Sequence, residues 1–224
     1  MPYVSRVFGA DLIGYYSYAN SIAIYFALFA ALGISAYGSR EVSIHRNDRE
    51  YCSQTFWELT IIRIFTTVFC LIGYLIAVAI NKNNVIVYLA CGVTILSVAF
   101  DFTWFLQAME DFKGLTVRNF IIKALSVALI FIFVKTEKDL ALYIFIQTGS
   151  TLFANLLTMT RVRKYLIPIG KRSLNVFSHL RQILVFFIPV VANSVYTVLD
   201  RTMIGVPTVT LSEVITVKSR VITL

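Results

Sequence analysis

Long, almost unbroken apolar stretches alternate along this chain with short polar gaps. A helix needs about 20 apolar residues to cross a hydrocarbon core of about 30 Å. Runs near that length occupy 15–36, 56–80, 85–108, 117–134, 140–160 and 183–204. None has the alternating, ten-residue rhythm of a barrel strand, and only helices or closed barrels satisfy their backbone in lipid. The pattern therefore predicts an all-α polytopic membrane protein with six spanning helices. Residues 2–9, ahead of the first run, read as the outer end of a truncated first helix. After Gly205 the sequence VPTVTLSEVITVKSRVITL is too polar to span and has no amphipathic period, so 206–224 reads as an abnormal or truncated tail. A shift of reading frame near Val214 is one account of it.

Composition agrees with lipid as the solvent. Hydrophobic residues make up 58% and charged residues 14%, with a mean hydropathy of +0.78, whereas soluble domains carry about 25% charged residues. The net charge of +8 does not mark a nucleic-acid binder, because the cations fall in the gaps between apolar runs. Arg40, Arg46, Arg49, Lys113, Arg118, Arg161, Arg163, Lys164, Lys171, Arg172 and Arg181 lie in alternate gaps, at 37–55, 109–118 and 161–182. The other gaps hold only Arg6, Lys82, Lys135, Lys138 and Arg201. By the positive-inside rule the first group is cytoplasmic and the amino terminus lies outside. A short outside start without a signal peptide fits a preceding span that is missing. The 161–182 gap mixes cations with Tyr165, Leu166, Ile167 and Phe177; it reads either as a segment lying on the anionic headgroups or as an ordinary basic connector. Cys52, Cys70 and Cys91 have no metal or redox spacing.

A charge at span depth costs about 2.5 to 3.5 kcal/mol on insertion scales, so each one calls for a reason. Arg63, Lys123 and Asp101 are placed at similar depth by the 1.5 Å rise per residue, with Glu58 nearer the cytoplasm. Two readings stand: a structural network in which Asp101 pairs with Arg63 or Lys123, or a cytoplasm-facing cavity whose surplus cations attract an anionic head group. Arginine suits phosphate through its two parallel donors. Pro189, inside the last run, removes one helical hydrogen bond and marks a kink.

Four segments, in order, resemble the polysaccharide repeat-unit flippases, the O-antigen and capsule translocases of the multidrug/oligosaccharidyl-lipid/polysaccharide exporter superfamily. They are PYVSRVFGADLIGYYSYANSI; LGISAYGSREV with Gly38, Arg40 and Glu41; DFTWFLQAMEDFKGLTVRN with Asp101, Trp104, Gln107, Glu110, Lys113 and Arg118; and IPVVANSVYTVLDRTMIG with Pro189, Tyr196, Asp200, Arg201 and Gly205. The resemblance covers about residues 2–205 and corresponds to the first half of such a protein. It implies an amino-terminal bundle at 1–160, a basic cytoplasmic linker at 161–182, the first helix of a second bundle at 183–205, and two bundles around a central cavity in the complete parent.

The implied activity is translocation of a polyprenyl-pyrophosphate-linked oligosaccharide across a bacterial-type cytoplasmic membrane, with no cofactor, no metal and no catalytic residue. The implied partners are that lipid-linked substrate, membrane lipids, and polysaccharide polymerase and chain-length proteins. Candidate substrate-binding residues are Arg6, Arg63, Asp101, Trp104 and Lys123. Arg6, Arg63 and Lys123 would hold pyrophosphate; Trp104 would stack on sugar or anchor at the interface. Arg40, Glu41, Gln107, Glu110, Pro189, Asp200 and Arg201 are structural or gating candidates, with Arg40 and Glu41 read as a loop ion pair and Asp200 with Arg201 likewise. Rival readings are a cation-coupled multidrug exporter, which calls for an acidic cavity, an inactive fragment, and a membrane-embedded sugar polymerase or acyltransferase. The last has little to work with, since His45 and His179 fall in predicted cytoplasmic loops.

Overall fold

A computed structural model describes residues 2–80, 85–167 and 175–194. Helix α1 covers Pro2–Ala31, but Gly9, at φ 70 and ψ 177, sets a short stub apart from the long helix that follows. Only a residue without Cβ takes that backbone at no steric cost. Leu32 (φ 47) and Gly33 (φ 73) turn the chain into α2, Ile34–Ile44. The stretch Asp11–Ile44 forms a single candidate span, so the run expected at 15–36 is longer and bent.

Asp48 opens α3, Arg49–Ile80, by accepting the Tyr51 amide at 3.0 Å. The third apolar run is split into α4, Val85–Ala99, and α5, Thr103–Ala108. At the break, Asp101 Oδ1 accepts the Thr103 amide at 3.1 Å, the local side-chain-to-backbone bond of an Asx-turn. Asp111 caps α6, Phe112–Phe133, through the Gly114 amide. A capping box between Thr136 and Asp139 then starts the turn into α7, Leu140–Val162. The final described helix, α8, runs Leu180–Ser194. Among the described residues five helices are long and apolar enough to span, and α8 is a shorter apolar helix. The rest of the sixth predicted span, like the tail after Gly205 and Asp200 with Arg201, lies outside the described residues.

Helix α4 packs against α1, α3 and α7, while α6 packs mainly on α7. Interhelical hydrogen bonds to main-chain carbonyls fix these contacts: Tyr74 to Tyr88 at 2.7 Å, Asn155 to Ser97 at 2.9 Å and Thr148 to Ala90 at 3.2 Å. Such bonds supply adhesion that apolar contact alone does not, since lipid is as apolar as leucine. Outward-facing Phe65, Phe69 and Phe120 are about three-quarters exposed, which suits a lipid surface. Arg46 pairs with Glu110 at 2.8 Å and Arg161 with Asp111 at 3.6 Å, so the gaps around residues 46, 110 and 161 share one end of the bundle, the basic end. Tyr3 donates to the Val134 carbonyl at 2.8 Å, placing the amino-terminal stub at the opposite end. Each end has its own buried core.

Candidate functional site

The charges read from the sequence at one depth do not converge on one cavity. Arg63 is enclosed, with 1% exposure. Its Nη1 donates to the main-chain carbonyl of Asp101 and its Nη2 to Ser35 Oγ at 2.8 Å, while Nε has no partner. It joins α2, α3 and the α4–α5 break. The expected ion pair between Asp101 and Arg63 is therefore replaced by a bond to the Asp101 backbone; the Asp101 carboxylate accepts the Thr103 amide instead, close enough for its charge to act on both Arg63 and Arg118.

Trp104 is also enclosed, 2% exposed, stacked on Phe56 at 6.0 Å and edge-on to Phe105. A Cβ on Gly38 would stand 2.7 Å from its ring. No face is left for a sugar, and the side chain is not an interfacial anchor. Gly38, from the motif around Arg40, is thus what lets α2 and α5 meet. Arg40 and Glu41 do not pair in a loop. Both lie on α2, where Arg40 sits over the Phe186 ring at 5.6 Å and Glu41 accepts the Tyr51 hydroxyl at 2.6 Å. Gln107 and Glu110 are exposed near the basic end, Glu110 at φ 60. Arg6 is exposed on the amino-terminal stub, away from Arg63 and Lys123. Pro189 lies exposed within α8.

Of the substrate candidates, Lys123 lines an open groove. Along α6, Thr116, Asn119, Lys123 and Ser126 recur three or four residues apart, so they share one face. Opposite, α7 presents Gln147, Ser150, Thr151 and Asn155. Together they border a groove of about 720 Å³. Arg118 spans it at one side, donating to the Ala154 carbonyl at 3.0 Å and to Asn119 Oδ1 at 2.7 Å. Two cations and many amide and hydroxyl groups line the groove, with no carboxylate among the described lining residues. Elsewhere on α6, Ile121, Leu125 and Phe131 are exposed. Lysine inside a span faces water or protein rather than lipid, so the groove face is the one expected to turn away from lipid. The polar spacing on α6 was present in the sequence but is obscured by the apolar residues between.

A second polar cluster was missed. Glu58 and His179 are 3% and 10% exposed, with Oε2 and Nε2 2.7 Å apart. Asn175 N and Gln54 donate to Glu58 Oε1 at 2.8 and 2.9 Å. Tyr37 Oη lies 2.7 Å from His179 Nδ1 and donates to Gln182 Oε1 at 2.6 Å. Both ring nitrogens of His179 are thus engaged, Nε2 with the Glu58 carboxylate and Nδ1 with the Tyr37 hydroxyl. His179, expected in a loop, instead ties the start of α8 to α2 and α3. Among the described residues no set of three His, Cys, Asp or Glu side chains gathers to hold a metal.

The family described as polysaccharide biosynthesis protein matches residues 1–208. Two curated relatives, each named "Putative O-antigen transporter", are similar. One, from Escherichia coli (strain K12), is 23% identical over 165 residues, covering 72% of this chain and 40% of the relative. The other, from Shigella dysenteriae, is 22% identical over 201 residues, covering 88% and 50%. The chain thus spans half or less of the length of these relatives. No solved structure matches.

Proposed function

The chain belongs to the polysaccharide biosynthesis protein family, and from that premise we propose that it forms part of a flippase moving a polyprenyl-pyrophosphate-linked oligosaccharide across a bacterial cytoplasmic membrane. The observation that carries this reading is the groove of Lys123 and Arg118, basic and rich in amides and hydroxyls, at membrane depth. Such a substrate must bring phosphate charge and sugar hydroxyls through hydrocarbon while its tail stays in lipid. Lys123 offers a mobile point charge to phosphate, and carboxamide and hydroxyl side chains exchange hydrogen bonds with sugar. The same lining opposes the multidrug reading, since an organic cation calls for carboxylates and would be repelled by Lys123.

The names of the two relatives support a transport role rather than an enzymatic one. Arg63 is reassigned from ligand to scaffold, and the substrate cations reduce to Lys123 with Arg118. The test is restoration of surface polysaccharide in a strain lacking its own repeat-unit flippase. Lys123→Glu is expected to abolish restoration at unchanged membrane level, and Lys123→Arg to retain most of it. Equal restoration by Lys123→Glu would overturn the reading.

A further inference from the structure

Gln147 lines more than the basic groove. The same side chain borders a second groove, of about 580 Å³, nearer the start of α7, where α1 contributes Ser5, Phe8, Tyr16 and Ser17 and α7 contributes Tyr143. Leu140, Tyr143, Gln147, Thr151 and Ala154 recur along α7 at steps of three or four, so one helix face runs through both grooves. Each volume falls within the roughly 300–1,000 Å³ usual for small-molecule sites. At their junction Gln147 Oε1 is buried without a hydrogen-bond partner, an acceptor that costs free energy unless a donor reaches it.

The two halves differ in chemistry. The first carries cations and carboxamides. The second has no charged residue among its described lining; its polar groups are serine and tyrosine hydroxyls and a carboxamide, in an aromatic cluster where Tyr16 meets Tyr143 edge-on at 5.9 Å and Phe8 meets Tyr143 at 5.6 Å. Tyr143 is buried within that cluster, whereas Tyr16 stays partly open to the groove. Aromatic surface beside hydroxyl and amide groups fits the alternating apolar C–H face and polar rim of a pyranose ring, and offers nothing to phosphate.

We propose that the α1–α7 groove is a glycan subsite for neutral pyranose residues, continuous with the basic groove through Gln147, whose free oxygen accepts a sugar hydroxyl. This rests on the flippase reading for its substrate class and adds where the sugar end lies. A substrate with its diphosphate at Lys123 would extend its sugars along α7 toward the amino-terminal end.

The test uses the chain in lipid nanodiscs free of glycoside detergent. The probes are a panel of neutral disaccharides of glucose, galactose, mannose, rhamnose and N-acetylglucosamine, each carrying a diazirine, and a diazirine-tagged alkyl pyrophosphate. Adducts are mapped by mass spectrometry. At least one disaccharide is expected to label 3–17 and 140–147. Gln147→Leu should cut that labelling about tenfold, the effect of losing about 1.4 kcal/mol, with thermal melts unchanged; Tyr16→Ala should cut it too, read beside its melting temperature because the ring also packs on Tyr143, while Tyr16→Phe retains both labelling and stability. The pyrophosphate probe should label 116–126 instead. Disaccharides that label no residue of the α1–α7 groove, or labelling indifferent to both Gln147→Leu and Tyr16→Ala, overturns the subsite. If the pyrophosphate probe still labels 116–126 in that case, the flippase reading stands without it. Sugar labelling with no pyrophosphate labelling keeps the subsite and removes the lipid diphosphate.

Discussion

Arg63 and Lys123 show how far residue type underdetermines role. Both are cations at span depth, yet one is closed in by Ser35 and the Asp101 carbonyl and the other lies exposed in a groove. A guanidinium that spans two acceptors on two elements cannot be replaced by a single ammonium reaching both. Arg63→Lys is therefore expected to lower stability by about 1–3 kcal/mol, the cost of leaving a buried acceptor unsatisfied, seen as a lower melting temperature and reduced membrane level together with any loss of transport. Transport lost at full stability would restore Arg63 to the binding site. The sequence placed Arg63 at the right depth and, with Thr60 and Thr67 three and four residues away, on a buried polar stripe of α3, but a stripe names a face and not the Ser35 and Asp101 groups that meet it from other elements.

At the scale of elements, α8 is joined to the bundle by polar as well as apolar contacts. Ile183 is fully buried in the basic-end core, and a Cβ on Gly33 would stand 2.9 Å from the Phe187 amide nitrogen, so α8 lies directly on the α1–α2 turn. The Glu58–His179 pair sits beside that contact. Removing one partner of this buried hydrogen bond leaves the other polar group enclosed and unsatisfied, at about 1–3 kcal/mol. His179→Ala and Glu58→Ala are each expected to destabilise the chain strongly in thermal melts. The double variant should cost clearly less than the two single losses added, a coupling of about 1–3 kcal/mol; additive losses would mean that the two groups do not act as a pair. The sequence could not show this, since Glu58 and His179 are 121 residues apart and each looks like an ordinary charge near a span end. The helices themselves were legible, apart from the turn at Leu32 and Gly33 and the break at Asp101, where a left-handed backbone and a local side-chain-to-backbone bond interrupt runs that hydrophobicity alone draws as continuous.

For the whole molecule, the loops sort into two ends: Arg46 with Glu110 and Arg161 with Asp111 at one, Tyr3 with Val134 at the other. The positive-inside rule expects the basic end to face the cytoplasm. A cysteine placed at Thr136 is then expected to react with an impermeant maleimide in intact cells, and one at Asn47 only after permeabilisation. The reverse labelling would invert the orientation and the direction assigned to the groove.

What the sequence determined by itself follows from quantities that add along the chain. Hydropathy sums to spans, loop charge sums to an expected orientation, and ordered motifs sum to a family, all without reference to neighbours in space. What only the tertiary structure decided depends on how each helix is rotated against the next. That rotation buries Arg63 and Trp104, leaves Lys123 open, and joins Glu58 to His179. It also aligns the α7 face that carries Gln147 with two grooves. In a bundle whose helices are apolar on the lipid side as well as the packed side, the hydrophobic pattern no longer distinguishes inside from outside, so the placement of the few polar groups is settled by interhelical packing.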